Sequence, residues 1–177
     1  MTADFQHIKR ISVVGCSGAG KSTLARQLAE ALALPVVHLD AELWQPGWKM
    51  VPKDKELAIV KNLISKDKWI IDGNYHSTMP IRFAATEAII LLDFSTWLCL
   101  KRVIQRFFRY KGTTRPDMRE GCPEKLDWEF IIWILSFRHR QRPLVLKHIN
   151  AHKNNCHVLV FRNPKQVVAF LNAIPHQ

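Results

Sequence analysis

The octapeptide Gly15-Cys16-Ser17-Gly18-Ala19-Gly20-Lys21-Ser22 constrains this chain more than any other feature. Before it lies a short β-branched run, Ile11 to Val14. After it comes a helical run, Thr23 to Leu32, with Leu24, Leu28 and Leu32 on one face. A strand that turns through glycines into a helix points backbone N–H groups and a helix N-terminus at one spot. In that setting G-x-x-x-x-G-K-[ST] reads as a phosphate-binding loop. Gly15, Ser17, Gly18, Ala19, Gly20 and Thr23 supply the cradle. Lys21 reaches the β- and γ-phosphates, and the Ser22 hydroxyl ligates Mg²⁺, so ATP and Mg²⁺ are the expected cofactors.

Four further apolar runs have strand length: Pro35–Leu39, Trp69–Ile71, Ile89–Leu92 and His157–Phe161. Between them the pattern predicts helices over 54–66, 95–110 and 124–142, and one from Pro164 with Asn163 as its cap. Residues 41–53, interrupted by Pro46, Gly47 and Pro52, read as irregular. Strands alternating with helices give an α/β fold, a parallel sheet with helices on both faces. With 177 residues, 47% of them hydrophobic, and no linker or repeat, the expectation is one domain spanning 1–177. No apolar run approaches a membrane span, no apolar leader stands at the start, and four scattered cysteines lack ligand spacing. The expected location is the cytoplasm.

In an open parallel sheet, ligands bind beyond the carboxyl ends of the strands. Asp40 and Asp72 both follow apolar strands and are therefore candidates for catalysis. Asp72 is the better Mg²⁺ partner, because its strand is more apolar and Gly73 leaves room beside it. Asp40 is the better acceptor-side residue, able to take or orient a hydroxyl proton. Asp93, followed by Ser95 and a helix, reads as a cap. The segment Leu43 to Trp48 puts Trp44 and Trp48 just after Asp40, either as an aromatic wall for an acceptor or as a plug at the core edge. Asn74, Tyr75 and His76 add polar groups near the same place.

Charge is the remaining signal. The net charge is +11, and residues 101–147 hold twelve Lys and Arg against five Asp and Glu, a surplus of seven. Arg102 and Arg106 share a helix face and are placed to close on a triphosphate. Arg115 and Arg138 are further candidates for anion contact. The same basic stretch, with Phe107, Phe108, Tyr110 and Trp128, is also a candidate nucleic-acid surface. None of the eight histidines has metal-ligand spacing.

Several blocks together resemble the DNA topology modulation protein family, adenylate-kinase-like phosphate-loop proteins. They are Gly15–Thr23; Pro35–Asp40 with Trp44-Gln45-Pro46-Gly47-Trp48; Trp69–Tyr75; Leu98–Val103; Thr114–Asp117 with Gly121–Glu124; and Arg138–Pro143. The resemblance covers about residues 10–172. It implies a nucleoside-monophosphate-kinase-like fold with a five-stranded parallel sheet, a small basic lid at about 108–125 and an acceptor segment at about 40–66. Compared with adenylate kinases, Asp72-Gly73 takes the place of their strand-end Asp-Gly, and Arg102 with Arg106 that of their lid-base pair. Their acceptor-gripping arginine is missing: Asn74, Tyr75 and His76 follow instead, with Arg82 the nearest substitute. The donor half matches, and the acceptor half argues against AMP.

The expected function is an ATP-dependent, Mg²⁺-dependent phosphotransferase acting on a nucleotide or other small acceptor. Its catalytic residues would be Lys21, Asp40, Asp72, Arg102 and Arg106. Substrate would be held by Asp40, Trp44, Trp48, Asn74, Tyr75, Arg82, Arg115 and Arg138. The alternative is an ATP-binding, DNA-associated protein that modulates DNA topology or expression.

Overall fold

The strand-length runs of the sequence form one parallel sheet in the computed structural model, which describes Phe5 and residues 7–174. In chain order the elements begin β1 (Arg10–Gly15), α1 (Lys21–Leu32), β2 (Val36–His38) and α2 (Leu39–Leu43). A small hairpin follows, β3 (Trp44–Gln45) and β4 (Lys49–Met50), and then α3 (Lys53–Ile64), β5 (Trp69–Asp72), α4 (Met79–Ala85) and β6 (Ala88–Leu92). The last elements are α5 (Thr96–Tyr110), α6 (Trp128–Arg140), α7 (Arg142–His152), β7 (His157–Phe161) and α8 (Pro164–Ala173).

The five main strands lie in the order β2-β5-β1-β6-β7, all parallel. From β1 the chain first moves to one side of the sheet and then crosses to the other, so the strand order reverses there. That is where a doubly wound sheet leaves a crevice for ligand. Register puts His38 beside Asp72, and Asp72 beside Val13, so the ends of β2, β5 and β1 converge on the phosphate loop.

Alternation along the strands decides what each face buries. Ile11, Val13, Ile70, Ile90 and Leu92 pack on the α1 side, with Leu24, Leu28, Val103 and Phe137. Val14, Ile89 and Leu91 face Met79 and Phe83 of α4 and Val145 and Ile149 of α7. Trp69 and Ile71 meet Leu39, Leu43 and Val60. A fully buried Leu or Ile in these layers contributes about 2 kcal/mol of transfer free energy. Among the described residues no helix is long and apolar enough to cross a membrane.

Three local expectations change. The helix expected over 124–142 begins at Trp128, because the Asp127 carboxylate accepts from the Phe130 N–H at 2.8 Å and caps it. It ends at Arg140, and a second helix starts across Gln141, since Pro143 has no N–H for the α6 ladder. Residues 41–53 are ordered into the end of α2 and the β3–β4 hairpin. Asp93 is not a cap. Ser95 caps α5, and Asp93 instead receives two bonds of 2.8 Å from the Arg142 guanidinium.

The Arg142 fork holds the Asp93 carboxyl below its ordinary value, against the opposing effect of burial. A depressed folded pKa stabilises above the unfolded pKa, near 4, and that stability is lost as pH falls through the folded value. Asp93→Asn is therefore expected to lose about 2 kcal/mol at pH 7 in urea unfolding, with the gap to wild type closing below about pH 4.

Candidate active site

The phosphate loop is built by close approach. At Gly18, φ is +81° and an added Cβ would lie 2.3 Å from the Cys99 carbonyl oxygen of α5, so only glycine fits. Gly20, at φ +97°, caps α1 in the left-handed region and turns the helix N-terminus onto the loop. Lys21 folds back, its Nζ 3.3 Å from the Cys16 carbonyl oxygen. Arg102 reaches from α5, donating to the Ala19 carbonyl oxygen at 3.2 Å while its guanidinium lies 5.7 Å from the centre of the Phe94 ring. These groups border a cavity of about 460 Å³, a volume typical of small-molecule sites. Ser17, Gly18, Ala19, Gly20, Ser22 and Thr23 also line it.

Asp40, Arg115 and Asp117 also line the cavity. Arg106 borders it too, as do Phe94 and, from the α8 region, Pro164, Val167 and Val168. The structure thus brings Lys21, Ser22, Asp40, Arg102, Arg106 and Arg115 to one space. Arg106 and Arg115 are held there by Glu124, which is 6% exposed: Arg106 contacts it at 2.8 Å and Arg115 at 2.7 Å. Burial, with Arg115 alongside, pulls Arg106 below its ordinary pKa despite Glu124.

Asp72 is almost fully buried, and one of its oxygens is 2.9 Å from His38 Nδ1. Burial works to lower the His38 pKa, but the Asp72 contact and the charge of Asp117 together raise it. Asp117 lies beside the Ser22 hydroxyl. Burial favours its neutral form, yet Arg115, Ser22 and His38 hold it below the usual carboxylate range. Mg²⁺ takes oxygen ligands, one or two of them carboxylates, together with substrate phosphates. The Ser22 hydroxyl and the Asp117 carboxylate fit that donor set. Asp72, the carboxylate expected there, is bonded to His38 and does not line the cavity. Among the described residues no group of three or more His, Cys, Asp or Glu side chains could hold a metal by itself.

Of the two roles open to Trp44 and Trp48, a wall for an acceptor or a plug at the core edge, the structure does not give the open wall: a hydrogen-bond chain runs to Asp40 instead. Trp44 Nε1–H donates to the Tyr75 hydroxyl at 2.9 Å, and that hydroxyl donates to Asp40 Oδ1 at 2.7 Å. Burial, then the Asp40 charge, pushes the Tyr75 phenol well above its ordinary pKa, so it remains a donor. Trp48 packs edge-on against Trp44 and donates to the Pro123 carbonyl oxygen at 3.0 Å. Neither tryptophan lines the cavity. Trp44 ties the hairpin to Tyr75 in the turn after β5, and Trp48 ties it to the segment around Pro123. Gly47 N–H to Gly121 O at 2.8 Å and Arg119 Nε to Ala41 O at 2.8 Å close the same seam.

Three other residues expected to hold substrate are placed elsewhere. Asn74 is bonded both ways to the phosphate-loop backbone, accepting from Gly15 N–H at 3.1 Å and donating to Gly15 O at 3.0 Å. Arg82 is 0% exposed, and its guanidinium donates to two backbone carbonyls rather than facing solvent. Arg138 sits exposed in the last turn of α6, outside the cavity. Sequence reasoning missed His38, Asp117 and the apolar lining residues Phe94 and Pro164. It also passed over Arg26, which lines the cavity one helical turn after Ser22, a spacing that was readable.

No family model matches the chain, and no curated protein matches it. Among solved structures it is similar to shikimate kinase from Acinetobacter baumannii in complex with shikimate, at 18% identity and a TM-score of 0.60. That match covers 98% of this chain and 94% of the other. It is also similar to shikimate kinase from Bacteroides thetaiotaomicron, at 16% identity and a TM-score of 0.52, covering 93% and 95%. The fold is that of the P-loop kinases. At these identities the likeness establishes architecture, and the chemistry of the site has to be argued from this chain's own residues.

Proposed function

We propose that this chain is a Mg²⁺-dependent P-loop phosphotransferase that moves the γ-phosphoryl group of ATP to a small hydroxylated acceptor held beside Asp40. The observation that carries the reading is the shared cavity, whose lining includes Lys21 and Arg102 as well as the Tyr75-held Asp40 carboxylate. The adenine end is the apolar wall of Phe94, Pro164 and Val167. Backbone N–H groups of residues 15–20, the α1 N-terminus and Lys21 hold the phosphates. Bound Mg²⁺, held through Ser22 and Asp117, would supply positive charge to the phosphate oxygens. Arg102, Arg106 and Arg115 stabilise charge on the transferred group, and the lid clamped to the β3–β4 hairpin excludes water. Tyr75 fixes one oxygen of Asp40 and leaves the other to accept the acceptor's hydroxyl proton.

The acceptor is a nucleotide or another small hydroxylated molecule. The absence of the acceptor-gripping arginine of adenylate kinases argues against AMP, and the buried Arg82 does not replace it. Membership of the DNA topology modulation proteins, which the motif blocks support, is part of the same proposal. A DNA-associated role is the weaker reading: Arg102, Arg106 and Arg115 line the cavity, and Arg142 is paired with Asp93. Calorimetric titration tests the donor half, with micromolar ATP binding expected in the presence of Mg²⁺ and clearly weaker binding in EDTA. Absence of ATP binding would refute the proposal.

A further inference from the structure

We infer that Arg82 is a positioning residue for both halves of the site: it holds the Gly73–Tyr75 turn whose two side chains set the phosphate loop and Asp40. The inference rests on the phosphotransferase reading for its catalytic consequence, and on geometry alone for the positioning.

The Gly73–Tyr75 turn is under backbone constraint. Gly73 has φ +130°, and Tyr75, which is not glycine, has φ +32°, a region that L-residues seldom occupy without support. Arg82 gives that support from α4 below. Its Nη1 donates to Gly73 O at 2.8 Å and its Nη2 to Asn74 O at 2.7 Å, so one planar fork grips two consecutive carbonyls. From the gripped turn the side chains diverge. Asn74 goes to Gly15 by its reciprocal pair of bonds, and Tyr75 goes to Asp40.

The guanidinium has no exposed surface, and among the described residues it makes no ion pair. A buried cation without an ion-pair partner is expensive, and a hydrophobic side chain of similar size would pack there more cheaply. Burial pulls the Arg82 pKa down to about 10, while Asp72, Tyr75 and Glu56 favour its charged form, so it remains a cation at neutral pH. What the guanidinium offers in return is the two-carbonyl grip. Lysine keeps the charge but presents a single point, and it does not reproduce the fork.

Amide hydrogen exchange on the nucleotide-free protein, followed by kinetics, tests this. In Arg82→Lys, exchange in residues 15–20 is expected to rise at least tenfold, with β7 and α8 unchanged. Turnover with an acceptor should fall about 100-fold. The double variant Arg82→Lys/Tyr75→Phe should be no slower than Arg82→Lys alone, because both act through the same turn. Should lysine fail to sustain the fold, Gly73→Ala distorts the turn with Arg82 intact and is expected to give the same exchange pattern. Unchanged exchange at 15–20, or multiplying effects of Arg82→Lys and Tyr75→Phe, would overturn the inference. Absence of phosphoryl transfer by the wild type would refute the kinase reading, and the exchange arm would still decide the role of Arg82.

Discussion

Lys21→Ala is expected to lower phosphoryl transfer from ATP by about 10³-fold while leaving the fold intact. The reason is geometric. Among the described residues the Nζ of Lys21 makes one hydrogen bond, to the Cys16 carbonyl oxygen at 3.3 Å, at the long edge of hydrogen bonding. Its removal therefore takes little from the folded state, and thermal unfolding should move by no more than a few degrees. In the proposed reaction the same ammonium meets the negative charge of the β- and γ-phosphates. Losing a preorganised charged donor there amounts to about 4 kcal/mol of transition-state stabilisation. Steady-state ADP release, with circular dichroism as the folding control, measures both. Turnover at the wild-type rate would remove Lys21 from the mechanism.

The second large effect is on the acceptor side. Asp40→Asn keeps the shape of the side chain and its bond from Tyr75 but removes the proton acceptor. Its kcat is expected to fall about 10²- to 10³-fold, within the range typical of a lost general base. ATP affinity should stay within twofold, since the proposed reaction gives the phosphates to Lys21 and Arg102 and only the acceptor to Asp40. Tyr75→Phe removes the hydroxyl that orients Asp40, so a smaller loss, about tenfold, is expected with the same unchanged ATP affinity. Pre-steady-state kinetics with separate titration of ATP distinguishes these from a general weakening of the site. Loss of ATP binding in Asp40→Asn would contradict the assignment of Asp40 to the acceptor half.

The parts of this molecule that could be read from sequence are those whose chemistry is contiguous. The phosphate loop carries its turn, its helix start and its lysine in eight successive residues, and the strand-plus-helix periodicity around it implies the sheet. Asp40 and Asp72 were visible because both end apolar runs. The residues misjudged are those whose role depends on neighbours far along the chain. His38 meets Asp72 only through the β2–β5 register, and Asp117 meets Ser22 from the other half of the chain. Trp44, Trp48 and Arg82 carry polar groups that look available in a sequence. The fold directs the indole N–H groups to Tyr75 and Pro123 and the guanidinium to backbone carbonyls. The break between α6 and α7 was written at Pro143, but the apolar pattern runs through it and masks the break.

The central claim is that one cavity takes ATP at Lys21 and hands its γ-phosphoryl group to a hydroxyl at Asp40. The direct measurement is incubation of the protein and Mg²⁺ with ATP labelled in the γ-phosphate against a panel of small hydroxylated molecules and nucleotides. The account predicts label appearing in one acceptor, with ADP released above the acceptor-free blank, and loss of that transfer in Asp40→Asn. Label found only in inorganic phosphate, at one rate with or without every acceptor, would contradict it.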